Sequence, residues 1–194
     1  MVFPKRPDRV ADAAFFRTDG RAMRAELQGV QTMASCEFRA FRSQDLNGLL
    51  AALAVSAPAD AVTEERFRAN VLLDTNFQAD GLMVADVDGE VVGAIYAVAP
   101  ISGLEPLPAD GGWITFFFVH PAWRNRGIGS ELVSRAVSWL SGQGAAWINF
   151  SGYAPAYFLP GLDEQLYPEA MRVLSKAGFS TQYSPVAMEG ECDV

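Results

Sequence analysis

Between Trp113 and Leu140 the chain changes its period once, and that change limits the folds open to it. WITFFFV, Trp113–Val119, is a short, nearly unbroken apolar run, the pattern of a strand buried on both faces. Pro121 ends it, because proline lacks the N–H that a ladder needs. From Ile128 onward the apolar residues Ile128, Leu132, Val133, Ala136, Val137 and Leu140 recur at helical spacing and form one stripe. Between strand and helix lies a basic, glycine-spaced turn, RNRGIGS, Arg124–Ser130. A buried strand that leads through a tight turn into an amphipathic helix belongs to a layered α/β domain.

The flanking sequence extends this frame. CEFRAFR, from Cys36, alternates as a half-buried strand does, and Gln44–Ala57 reads as a helix behind Ser43. Thr63 is placed to cap a second helix running to Leu73. Two β-rich runs around Asp88-Gly89 form a hairpin over Gly81–Pro100. Residues 101–112 read as a loop, and AAWINF, residues 145–150, as another buried strand. A long loop, 152–163, leads to a helix that starts at Pro168 and ends before Gly178. FSTQYS and PVAMEG read as closing strands. Residues 1–34 look like an N-terminal extension with one short helix over Ala22–Met33, and 35–194 form the domain. The predicted fold class is α/β (α+β). Its centre is a mixed, mostly antiparallel sheet of six to seven strands, with about four helices around it.

Composition narrows the chemistry. The 194 residues suit one domain, and the net charge of −8 disfavours a nucleic-acid or anionic-membrane surface while favouring cationic substrates such as amines. Two cysteines without a CxxC pattern and a single histidine, His120, give no zinc site and no disulfide framework. No apolar run approaches the ~20 residues of a membrane span, and no signal-peptide core is present, so the expectation is a soluble, cytoplasmic protein.

The glycine turn is the strongest chemical signal. A helix N-terminus presents unpaired N–H groups and partial positive charge. Glycines let the backbone approach an anion closely, and arginines add bidentate donors. Together they suit a diphosphate or triphosphate. The sequence lacks the lysine of a Walker A loop and, with Leu132 in place of a third glycine, the dinucleotide fingerprint. Coenzyme A is the pyrophosphate ligand that this leaves, with a nucleotide as the weaker alternative.

Strand, VHPAWRNRGIG and amphipathic helix together resemble motif A of the GNAT superfamily of acyl-CoA-dependent N-acyltransferases, [RQ]xxGx[GA], matched by Arg124, Gly127 and Gly129. In element order the resemblance runs over residues 36–190. It implies acetyl-CoA as cosubstrate, no metal, and direct transfer to a primary amine of a small molecule or peptide. It implies that Phe117 and Val119 offer backbone groups to the pantetheine arm, and that the amide of Phe118 or Val119 stabilises the oxyanion. Arg124, Asn125, Arg126, Gly127, Ile128, Gly129 and Ser130 would contact the pyrophosphate. The family's C-terminal strands often mediate dimers, which leaves a homodimer open.

The match departs at the catalytic acid. Many members carry a tyrosine four residues before the GF of the last helix; here that position is Leu174, and the family's frequent asparagine aligns with Tyr167. The candidate acids are therefore Tyr157, with Tyr153 and Tyr167 as rivals. Asp163 and Glu164 are candidate amine ligands or plain loop charges. His120 is expected to point away from the chemistry. The missing tyrosine also motivates an alternative, a catalytically silent CoA-binding regulatory or interaction module.

Overall fold

The computed structural model describes residues 13–19, 36–101, 107–159 and 161–183. The expected helix at 22–33, the expected strand at 185–190 and Cys192 lie outside them. The strands are β1 (Ala13–Asp19), β2 (Cys36–Ala40), β3 (Leu82–Val87), β4 (Glu90–Val98), β5 (Gly111–Val119), β6 (Trp147–Phe150), β7 (Leu162–Asp163) and β8 (Ser180–Tyr183). The helices are α1 (Leu46–Ser56), α2 (Glu64–Phe67), α3 (Ile128–Gly142) and α4 (Pro168–Lys176).

The sheet runs β2-β3-β4-β5-β6-β1-β7, with β8 also on β1, and its β5–β6 pair is parallel while the other pairs are antiparallel. Among the described residues this is the mixed, mostly antiparallel sheet with four helices that the sequence suggests. Several local signals act as read. Thr63 Oγ1 accepts the N–H of Arg66 at 3.1 Å and starts α2, which continues as a π turn to Leu72. Asp88 and Gly89 both have positive φ, 52° and 87°, the signature of a type I′ hairpin turn. β5 begins at Gly111, two residues before the apolar run suggests.

Two strands were not anticipated. β1 comes from the segment read as an extension, and pairs Phe16–Asp19 with Phe150–Trp147. The two-residue β7 lies in the segment read as a loop. β7 is too short to mark itself, and β1 meets partners about 130 positions away.

Each face of the sheet carries its own core. One holds α1 and α2 through Leu49, Leu53, Phe67 and Val71, against Val84, Tyr96, Phe116 and Phe118. The other holds α3 and α4 through Ile128, Leu132, Val133, Leu140 and Leu174, against Ile95, Ile114 and Phe150. Each fully buried aliphatic side chain stabilises the fold by ~1.5–3 kcal/mol, so the stripe of α3 fixes that helix, and the turn at its start, firmly on the sheet.

A bulge sets which β5 side chains face which core. Tyr96 pairs with Phe116 but Ala97 with Ile114, so Thr115 is an extra residue. The alternation shifts by one there. As a result Trp113, Phe116 and Phe118 all face α1, while Ile114 and Phe117 face α3.

Candidate functional site

The candidate site begins where β5 and β6 part. Their parallel pairing covers Gly111–Ile114 against Trp147–Phe150, and Ser151 N–H still reaches the Ile114 carbonyl at 2.8 Å. Beyond that point, among the described residues, β5 continues to Val119 beside β4 alone. His120 N–H donates to the Val92 carbonyl at 2.8 Å. In an antiparallel ladder only alternate residues bond to a given neighbour. Residues 116, 118 and 120 therefore aim their backbone groups at β4, and Phe117 and Val119 aim theirs at the open fork.

The fork leads directly into the glycine turn. Asn125 and Gly127 both adopt left-handed conformations, with φ of 61° and 82°. The first bond inside α3 runs from Glu131 N–H to the Gly127 carbonyl, 3.0 Å. The N–H groups of Ile128, Gly129 and Ser130 have no acceptor within the helix, which makes this end an anion cradle. A Cβ on Gly127 would meet nothing within 4 Å, but the left-handed backbone disfavours one. A Cβ on Gly129 would lie 3.6 Å from Val119 Cγ2 and 3.7 Å from Val173 Cγ2, at the cavity wall.

Fork and turn open onto one cavity of about 410 Å³. Its walls are residues 116–119 of β5, the turn, the end of α1 with Ser56, the following loop with Asp60, and one face of α4 with Arg172, Val173 and Lys176. The two turn arginines behave differently. Arg124 is half-buried and donates from Nε to the Val119 carbonyl, 3.2 Å, and from Nη2 to the Ser56 carbonyl, 3.0 Å. Arg126 is exposed, with its guanidinium 4.5 Å from the Trp123 ring centroid. Of the turn residues expected to contact an anion, Arg124, Asn125, Gly127, Ile128, Gly129 and Ser130 line the cavity and Arg126 does not.

The three tyrosines separate. Tyr153 is buried outside the cavity; its hydroxyl donates to Asp74 Oδ1 at 3.0 Å and accepts from Asn76 Nδ2 at 2.8 Å. Tyr157 is 48% exposed and also lies outside the cavity, and its hydroxyl is pushed above the ordinary tyrosine value by partial burial, then by Tyr183. Tyr167 lines the cavity and donates to Asp60 Oδ2 at 2.9 Å. Burial, then the neighbouring Asp60 charge, raises its hydroxyl well above the usual range. Asp60 is itself held above the ordinary carboxyl value by burial, against the Tyr167 bond and the Arg66 charge, which pull it down.

Other candidates have local duties. Asp163 Oδ1 accepts the N–H groups of Gln165 and Leu166, so it closes the turn before α4, and Glu164 is exposed. His120 Nδ1 accepts the Ala122 N–H at 3.3 Å and faces a different depression, between α1 and the β3–β4 hairpin. Leu174 is fully buried under α3. Asp60, Ser56, Arg172 and Lys176 were missed from sequence. Asp60 sits in the short loop APADAV, where nothing periodic marks it; only the fold brings it to Tyr167.

The family model described as Acetyltransferase (GNAT) family matches residues 48–154, more than half of the chain. The chain belongs to the GNAT family. The matched span runs from α1 through the fork, the turn and α3. The GNAT fold is shared with solved structures. The chain is similar to a GCN5-related N-acetyltransferase from Sphaerobacter thermophilus, with TM-score 0.64 and 16% identity over 92% of this chain and 51% of that one. It is similar to Ard1 from Thermoplasma volcanium, TM-score 0.54, 19% identity, 75% and 82% covered. It is also similar to a transcriptional regulator from Bacillus halodurans C-125, TM-score 0.57, 22% identity, 80% and 99% covered. At these identities the likeness is one of fold. The chain spans about half the length of the Sphaerobacter protein. No curated protein matches its sequence.

Among the described residues no group of three or more His, Cys, Asp or Glu is placed to hold a metal ion, and no helix is long and apolar enough to cross a membrane.

Proposed function

We propose that this GNAT enzyme transfers an acetyl group from acetyl-CoA to a primary amine, directly, within one ternary complex. The observation that carries the reading is the fork: an open strand edge that runs straight into an anion cradle, both facing one cavity. The pyrophosphate would sit on the N–H groups of Ile128, Gly129 and Ser130, where the helix end and the left-handed turn concentrate donors. The pantetheine arm would lie along the outward backbone groups of Phe117 and Val119, as an added strand does.

Register favours one oxyanion donor over the other. The Phe118 N–H points to β4, whereas the Val119 N–H points into the fork, so Val119 is the amide that meets the thioester oxygen. Such a fixed donor stabilises charge that develops only in the transition state. The Val119 carbonyl, in the next peptide unit, is engaged by Arg124, which holds the end of β5 at the fork. Arg124 thus acts on the site through the backbone rather than on phosphate. The enzyme's further contribution is placement of amine nitrogen and carbonyl carbon in one cavity, which alone removes much of the barrier.

The test is acetyl-CoA titration by calorimetry together with free-thiol release in the presence of amines. Saturable binding with amine-dependent thiol release supports transfer. Binding without release for any amine would favour the silent module that the loss of a tyrosine at Leu174 first suggests.

A further inference from the structure

Asp60 and Tyr167 meet across the cavity from distant parts of the chain, one in the loop after α1 and the other immediately before α4. Their contact is the hydroxyl of Tyr167 donating to Asp60 Oδ2 at 2.9 Å. Both line the cavity that holds the fork and the anion cradle. Tyr167 is the only one of the three candidate tyrosines to do so. With Leu174 sealed in the core, the cavity needs another group to manage the amine's proton.

We propose that Asp60 is the carboxylate that receives the acceptor's ammonium group and takes its proton, with Tyr167 as the residue that positions it. This rests on the acetyl-transfer reading above. The acceptor class follows from the same walls. Leu53, Phe116, Phe118 and Leu159 line the cavity with Asp60, so the acceptor is a protonated primary amine carried on an apolar body.

The step balances as follows. The ammonium nitrogen gives one proton to the Asp60 carboxylate, and its freed lone pair attacks the thioester carbon. The C–N bond forms and the carbonyl electrons move to oxygen, facing the Val119 N–H. Collapse re-forms the carbonyl and breaks the C–S bond. The remaining surplus proton on nitrogen passes to the departing sulfur, which gives free CoA thiol and the neutral amide. Asp60 then releases its proton to water.

The electrostatic setting suits this role. An ordinary aspartate is too weak a base to deprotonate an amine well. Burial strengthens Asp60, and Asp163 adds to that effect, while Tyr167 and Arg66 keep the carboxylate from being lost to protonation. Among the described residues, Glu169, Arg172 and Lys176 of α4 and Arg124 of the turn complete the charged groups of the cavity.

The experiment measures acetyl-CoA binding by calorimetry and thiol release with hexylamine, 2-phenylethylamine and putrescine, for wild type, Asp60→Asn, Asp60→Glu and Tyr167→Phe. Asp60→Asn should bind acetyl-CoA as wild type does yet lose about 100-fold or more in kcat, with partial recovery in Asp60→Glu. Tyr167→Phe removes a bond that favours the charged carboxylate, so the acid limb of kcat/KM against pH should move to higher pH. That shift is a readout a purely structural tyrosine would not give, and it stands even if Asp60→Asn fails to fold. Wild-type turnover in Asp60→Asn, or an unmoved acid limb in Tyr167→Phe, overturns the assignment while leaving acetyl transfer intact. Turnover of putrescine alone overturns the apolar-body class. Absence of acetyl-CoA binding by the wild type overturns the acetyl-transfer reading and this inference with it.

Discussion

The guanidinium of Arg124 donates to the main-chain carbonyl of Ser56 from 3.0 Å. One bond thus links the glycine turn at the head of α3 to the last residue of α1, on opposite sides of the sheet. Through its Nε the same side chain also holds the Val119 carbonyl at the fork. Arg124 is therefore a clamp on the cavity's frame, made of charge-assisted bonds to backbone.

Arg124→Ala should cost about 1.5–3 kcal/mol in stability, the scale for a hydrogen bond to a charged partner, and weaken acetyl-CoA binding. Arg124→Lys should recover little, because one ammonium cannot span both carbonyls in the planar fork geometry. Urea unfolding and calorimetry on the two variants test this. A lysine variant as stable as wild type would contradict it.

Arg39 gives a second prediction, this one for pH. It bridges Asp45 and Asp86, at 2.6 Å each, and all three side chains are largely buried. Arg39→Ala would leave two carboxylates uncompensated, at a cost of about 3–5 kcal/mol near neutral pH. The Arg39 bond holds the Asp45 carboxyl below its ordinary value. A group depressed in the folded state contributes fully above its unfolded pKa, about 3.9, and loses that contribution as pH falls through the folded value. Wild type should therefore lose stability below about pH 4 more steeply than Arg39→Ala does. Parallel slopes of unfolding free energy from pH 5 to pH 2 would contradict the role given to this pair.

Restoring the family tyrosine is not expected to help. Leu174 has no exposed surface, so Leu174→Tyr overfills a packed site and buries a hydroxyl, at a cost of about 1–3 kcal/mol. Thermal melting should show the loss, and thiol release should not rise. A faster enzyme would show that the cavity does reach this position.

Tyr153→Phe separates structure from chemistry. The variant deprives Asp74 and Asn76 of their shared partner and should lower stability by about 1–3 kcal/mol. Turnover per folded molecule should be unchanged, because Tyr153 lies outside the cavity. A kcat loss with unaltered melting would return Tyr153 to the reaction.

Much of this was legible in the sequence because it is local. The strand–turn–helix unit declares itself by a change of period, and Thr63 and Asp88-Gly89 by side-chain and backbone chemistry that needs no distant partner. What stayed hidden depends on long-range pairing. β1 is a strand only beside β6, β7 and β8, Thr115 is a bulge only against Tyr96 and Ala97, and Arg124 is a clamp only because Ser56 ends nearby. The same holds at the site: three tyrosines were indistinguishable by spacing, and Asp60 had no motif. Burial and one hydrogen bond distinguish them, and both arise from tertiary structure.

The most direct test of the account is the heat of acetyl-CoA binding to wild type and to Gly127→Glu, with thermal melting to show that both are folded. Gly127 sits left-handed at the mouth of the cradle, and a glutamate there brings strain and negative charge to the place assigned to the pyrophosphate. The account predicts saturable one-to-one binding by wild type and no measurable heat from the folded variant. Equal affinity in the two proteins would show that the turn does not hold the cofactor.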